Sequence, residues 1–236
     1  MSTIREALLA AGKAAESPAH PLGSDAQTEG PCMQAKGPCG KNEGFMDASQ
    51  VQYVARAGNF VAHGYRYHGA LRILKVILGY DYLWINLRVK GGAYGCMNGY
   101  MRNGDAYFVS YRDPNLSATN EVYDGIPEYL EEFDADEHEM TKYVIGTVSD
   151  MDAPLNPSAK GARSMAAYLQ GISYEELQRE RDEVLCATAE DIRGLKDLIA
   201  SVLSDNHICV IGNEDCLRQE KEMFGTLENL FHPAAE

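Results

Sequence analysis

The dipeptide Asn103-Gly104, set between two apolar runs, restricts the fold of this chain more than any other feature. Both residues tolerate positive φ, and the tight turn they favour twists in the sense that paired strands require. The runs on either side, 93–100 and AYFVSYR at 106–112, are therefore predicted to form an antiparallel hairpin.

Around that hairpin the periodicity alternates between two and three-to-four residues. QVQYVARA (50–57) sets Val51, Tyr53 and Ala55 against Gln52, Val54 and Arg56, the pattern of a half-buried strand. Between 66 and 78, Leu71, Leu74, Ile77 and Leu78 recur at helical spacing. Gly79 is expected to end that helix and Asp81 to cap a second, short one carrying Leu83, Trp84 and Leu87. Asp113-Pro114-Asn115 should stop the return strand and open a helix over 116–133, bent at Gly125 and Pro127. Three further helix starts are marked by capping pairs: Asp136 with Glu139, Ser173 with Glu176, and Thr188 with Asp191. The last precedes an apolar stripe of Ile192, Leu195, Leu198, Ile199, Val202 and Leu203. HICVIG (207–212) reads as a short buried strand, followed by a helix over 214–224 and a helical tail over 225–236. Strands separated by helix pairs predict an α+β fold, an antiparallel sheet with helices packed on one face. Residues 1–42, where Pro18, Pro21, Pro31 and Pro38 interleave with small residues, are expected to be a short helix over 3–15 and a flexible linker. A single folded domain is expected over 43–236.

Charge and composition narrow the function. Lys and Arg number 21 against 35 Asp and Glu, a net charge of −14, which is the wrong sign for a nucleic-acid partner. No apolar run reaches the roughly 18–20 residues of a membrane-spanning helix. The N-terminal stretch is too charged for a secretory signal, so a cytoplasmic protein with no membrane partner is expected. The six cysteines form no C-x-x-C pair, and Cys32 and Cys39 read as free thiols. The histidines give no zinc site: His138-Glu139 has no second histidine at the step a zinc helix needs, and His63 and His68 are five residues apart. No phosphate-binding loop, dinucleotide fingerprint or nucleophile elbow is present.

What remains is Arg88 and Tyr94, on either side of Gly91-Gly92. An arginine at a helix end and a tyrosine at the start of the next strand can face one cleft, with the glycines letting another backbone approach. A permanently charged planar guanidinium and a phenolic O–H suit a carbonyl oxygen that is becoming an oxyanion. Spacing alone does not select this pair over a surface arginine and a core tyrosine.

Three stretches carry a resemblance: NEGFMDASQVQYVARAGNF (42–60), GYDYLWINLRVKGGAYG (79–95) and FVSYRDPNLSATNEVYDGIPEYL (108–130). With TKYVIGTVSDMDAPLNPSAKGARSMAAYLQGISYEELQRERDEVL (141–185), they resemble the C-terminal domain of presequence-protease-like zinc metallopeptidases of the insulinase (pitrilysin) family. The resemblance covers 43–224. It implies homologous α+β domains in two halves closing around a chamber, with zinc on an inverted H-x-x-E-H motif of the N-terminal half. It also implies that the last domain, silent alone, donates an arginine and a tyrosine to the scissile carbonyl of an unfolded peptide. These map to Arg88 and Tyr94, with Gly91 and Gly92 as the substrate-binding loop beside them.

The chain itself has no H-x-x-E-H. The resemblance therefore implies an excised domain or one subunit of a split enzyme, with no cofactor of its own, zinc in the partner half, and no peptidase activity in isolation. The alternative is a stand-alone, non-catalytic interaction module that homodimerises through the surface its lost partner would cover. A thiol-redox or metal protein using Cys32 and Cys39 is the third reading.

Overall fold

The computed structural model describes residues 42–231. The helix and linker expected before residue 42, with Cys32 and Cys39, lie outside the described residues. Six strands form one sheet: β1 (Glu43–Asp47), β2 (Gln52–Asn59), β3 (Gly95–Tyr100), β4 (Asp105–Asp113), β5 (His207–Asn213) and β6 (Thr226–Asn229), in the order β3-β4-β2-β5-β1-β6. The Asn103-Gly104 hairpin is present, closed by a four-residue turn in which Gly104 takes φ 98 and Met101 N–H donates to Asp105 O. Antiparallel pairing runs from β3 through β4 and β2 to β5, whereas β1 pairs parallel with both β5 and β6.

The helices are α1 (Ala70–Ile77), α2 (Ser117–Asp124), α3 (Ile126–Glu131), α4 (Glu137–Met151), α5 (Pro157–Leu169), α6 (Tyr174–Cys186), α7 (Ala189–Arg193), α8 (Lys196–Ser204) and α9 (Glu214–Gln219). Strand alternation places them on one face. Met46, Val54, Arg56, Phe108, Ser110, Ile208 and Val210 are buried beneath the helices. Their neighbours Phe45, Tyr53, Ala55, Met97, Val109, Cys209 and Ile211 remain exposed or half-exposed on the other face. The register lines several of these up in one row across the sheet, Met97–Val109–Ala55–Cys209. Arg56, a charge on the buried face, donates to Leu203 O at 2.9 Å and pairs with Asp124 at 2.7 Å, which ties β2 to the ends of α8 and α2.

Two local expectations change. Gly79 does not end α1: the helical backbone runs on in wide π-helical turns over Leu78–Tyr82 and Trp84–Lys90. Leu78, Leu83 and Leu87 are spaced by five and then four residues, and the wider turns keep all three buried. Asp81 accordingly caps nothing and accepts from the Tyr143 hydroxyl on α4. The expected helical tail over 225–236 is replaced at Thr226–Asn229 by β6, whose backbone finds its partners on β1. The bend at Gly125 and Pro127 separates α2 from α3, and Asp136, Ser173 and Thr188 cap α4, α6 and α7 as their spacing predicts.

Asp205, just after α8, accepts from Asn59 N–H at 2.8 Å and meets His63 Nε2 at 2.7 Å. Burial acts to raise its pKa, but these two donors outweigh it and hold the carboxyl below its ordinary value of 3.8. A depressed carboxylate contributes stability that is complete above the unfolded value and lost as pH falls through the folded one. Urea midpoints of the wild-type chain are thus expected to fall more steeply below pH 3.8 than those of Asp205→Asn. Parallel slopes for the two proteins would show that Asp205 has no part in acid unfolding.

Candidate functional site

The site begins where the π-helical segment ends. Gly92 N–H donates to Arg88 O at 3.1 Å and Ala93 N–H to Leu87 O at 2.9 Å, which closes the helix. A Cβ on Gly91 would lie 2.6 Å from Leu87 O, and Gly92 takes φ 81, so both positions of the corner require glycine for local reasons. The corner is also held from outside. Asn115 Nδ2 donates to Gly91 O at 2.6 Å, and Asp113 Oδ1 accepts from Asn115 N–H at 2.9 Å. Asp113 is itself fully buried and accepts from Thr119 Oγ1 at 2.7 Å. A chain of hydrogen bonds therefore runs from the base of α2 out to the loop between Arg88 and Tyr94.

That loop brings the two predicted residues together. Arg88 Nη1 donates to Tyr94 O at 2.6 Å. Its guanidinium carbon lies 4.3 Å from the centre of the Trp84 ring and 5.5 Å from that of Tyr94. Tyr94 meets Tyr111 edge to face at 5.6 Å. The Tyr111 ring in turn covers the α-carbon of Gly95, where no side chain would fit.

Both key side chains face outward: Tyr94 is 57% exposed, Trp84 39%, and Arg88 is exposed. Among the described residues no carboxylate lies within ion-pair distance of Arg88, and none hydrogen-bonds the Tyr94 hydroxyl. Cys96, one turn of strand away, has its thiol pushed up by burial and by Asp113, with Arg88 pulling the other way.

The arrangement is an exposed cationic–aromatic patch in which most guanidinium donors of Arg88 and the Tyr94 hydroxyl have no partner among the described residues. It can grip an oxygen that carries or develops negative charge. His63 and His68 do not join it: His63 pairs with Asp205, and His68 lies 3.8 Å from Glu183. Among the described residues no group of three or more His, Cys, Asp or Glu is placed to hold a metal ion. Trp84, Tyr111, Arg112 and Asn115 were not identified from spacing. Trp84, one turn before Arg88 on the same helical segment, is the one whose position carried a usable signal.

Comparison with known proteins agrees with this architecture. A family model described as the PreP C-terminal domain matches residues 42–214. Protein HypA of Clostridium perfringens is 47% identical over 190 residues, covering 80% of this chain and 20% of that protein. The chloroplastic/mitochondrial presequence protease 1 of Arabidopsis thaliana is 36% identical over 171 residues, covering 72% and 16%. The chain thus spans a fifth or less of the length of these relatives. Among solved structures, the inactive peptidase domain of a putative zinc protease from Bordetella parapertussis superposes with a TM-score of 0.52 at 16% identity, over 70% of this chain and 91% of that one. Pitrilysin gives 0.52 at 11% identity, over 72% and 19%. At such identities the likeness is one of fold.

Proposed function

Because the chain belongs to the PreP C-terminal domain family, we propose that it is the non-zinc-binding C-terminal part of a zinc-dependent peptidase that degrades unfolded peptides. In this reading Arg88 and Tyr94 hold the scissile carbonyl, and the chain is inactive without a zinc-bearing N-terminal half. The observation that carries the proposal is the exposed Arg88–Tyr94 pair, in which one guanidinium N–H is held by Tyr94 O and the Tyr94 hydroxyl has no hydrogen-bond partner among the described residues.

One of the five guanidinium N–H groups of Arg88 is committed to Tyr94 O, which orients the remainder. Those and the phenolic O–H donate to the peptide oxygen, more strongly as it gains charge. Each such donor is worth about 2.7–4 kcal/mol of transition-state stabilisation. Gly91 and Gly92 keep the corner free of side chains, so that a peptide backbone passes close to both groups. The uncovered sheet face with Tyr53, Met97 and Val109 offers an apolar wall to an extended chain. No metal-ligating group is placed among the described residues, and in this reading zinc would be supplied by the N-terminal half.

Mixing the purified chain with the zinc-bearing half of a close relative is expected to produce hydrolysis of an unstructured peptide that neither part shows alone. A chelator should abolish it. Hydrolysis by the chain alone, or a stable dimer of the chain that neither binds nor activates such a half, would overturn the proposal; the dimer would favour a stand-alone interaction module.

A further inference from the structure

Arg112 stands out from the rest of β4. Its φ is 48, and the one other described non-glycine residue with positive φ is Asn206. Asparagine visits the left-handed region readily; arginine does not. The cause lies in the pairing with β2, where Val54 faces Ser110 and Gln52 faces Asp113. One residue on β2 is therefore spanned by two on β4, Tyr111 and Arg112, which is a β-bulge with arginine in a position that glycine commonly fills.

Bulges re-aim side chains, and this one aims at the site. The carbonyl of Arg112 accepts from Tyr94 N–H at 3.2 Å. Its guanidinium carbon lies 5.5 Å from the centre of the Tyr94 ring, the same separation as that of Arg88. Arg112 is exposed, and among the described residues no carboxylate is within ion-pair distance of it, although the chain carries a net charge of −14. An exposed phenol free of hydrogen bonds would ordinarily sample several rotamers. Two cations over its ring and the Tyr111 edge against it restrict that freedom.

We propose that Arg112 is a positioning residue for Tyr94: the left-handed backbone of the bulge is retained because it carries a second guanidinium over the ring and holds the phenol in its outward orientation. The inference rests on Tyr94 being the peptide-gripping phenol, but the ring-holding itself is measurable without any peptide.

The test is Arg112→Gly in the full chain, since glycine keeps the left-handed backbone and deletes the guanidinium. Relief of strain offsets the lost stacking and the added chain entropy, so Tm is expected to stay within about 2–4 °C of wild type. The Tyr94 ring signals in an aromatic NMR spectrum, assigned by their loss in Tyr94→Phe, are expected to lose their cross-peaks to Tyr111. With the zinc-bearing half supplied, kcat should fall about 10- to 100-fold with KM nearly unchanged, the signature of misplacement rather than lost binding. Arg112→Lys, which keeps a cation over the ring, should retain the cross-peaks and most of kcat. Unchanged Tyr94 signals in Arg112→Gly, a collapse of Tm, or full turnover with a released ring would each overturn the role. A released ring in Arg112→Gly together with an Arg88→Ala chain that still supports full turnover would instead count against the peptide-gripping reading and leave the ring-holding standing.

Discussion

Arg88→Ala is expected to lower kcat of the reconstituted peptidase by about 100- to 1000-fold, the usual consequence of removing one preorganised donor from a developing oxyanion. The substitution removes more than a charge. It strips the cation from the Trp84 ring, at 4.3 Å, and the donor from Tyr94 O, at 2.6 Å, so the orientation of Tyr94 is weakened with it. Tyr94→Phe isolates the hydroxyl, because the ring stays available to Arg88, Arg112 and Tyr111. A similar loss in kcat with little change in KM is expected there. The double variant should fall well short of the product of the two, since residues that act as a unit are not additive. Stopped-assay kinetics on one unstructured peptide decide it: kcat within threefold of wild type for Arg88→Ala would remove the residue from the reaction.

The largest effect on stability is expected at Glu180, on α6. Its side chain is only 4% exposed, and it meets Arg72 of α1, Arg102 of the β3–β4 turn and the Tyr67 hydroxyl. Arg102 also lies over the Tyr67 ring, 5.1 Å from its centre. One carboxylate therefore fastens α6 to α1 and to the hairpin whose other end carries Tyr94 and Arg112. Breaking a fully buried pair by removing one partner costs about 3–5 kcal/mol. Arg72 and Arg102 keep 35% and 28% exposure, so water recovers part of that for them. Glu180→Ala is then expected to destabilise the chain by about 2–4 kcal/mol in urea unfolding, and Glu180→Gln, which keeps acceptors for Tyr67, by less. A loss below about 1 kcal/mol would mean that the arginines find water as readily as they found the carboxylate.

Much of this was legible in the chain. The capping residues Asp136, Ser173 and Thr188 and the Asn103-Gly104 turn act within a few positions of themselves, so their geometry follows from their neighbours in sequence. The period of two in β2 was readable, but not which side turns inward: Gln52, Val54 and Arg56 are buried and Tyr53 is exposed, because the helices supply Leu203 O and Asp124 as partners for Arg56. β5, which reads as a buried strand, is covered on one face only. Arg88 and Tyr94 draw attention as a pair around Gly91-Gly92, but their spacing alone does not separate them from a surface arginine and a core tyrosine; the family resemblance does that. The elements that were misread depend on partners far away. Thr226–Asn229 is a strand because β1, far earlier in the chain, offers it a parallel edge. Leu78–Lys90 winds as π-helix because three leucines at uneven spacing must all reach the core.

Arg112 is the sharpest case. Nothing in SYRDPNL says that its arginine takes a left-handed backbone, because that conformation is imposed by the register of β2 against β4. Local chemistry was enough to place three helix starts and the hairpin, and to single out two residues flanking a glycine corner. Which cations face one phenol, and whether a carboxylate neutralises them, had to wait for strands to pair, since electrostatic fields depend on distance through space and not along the chain.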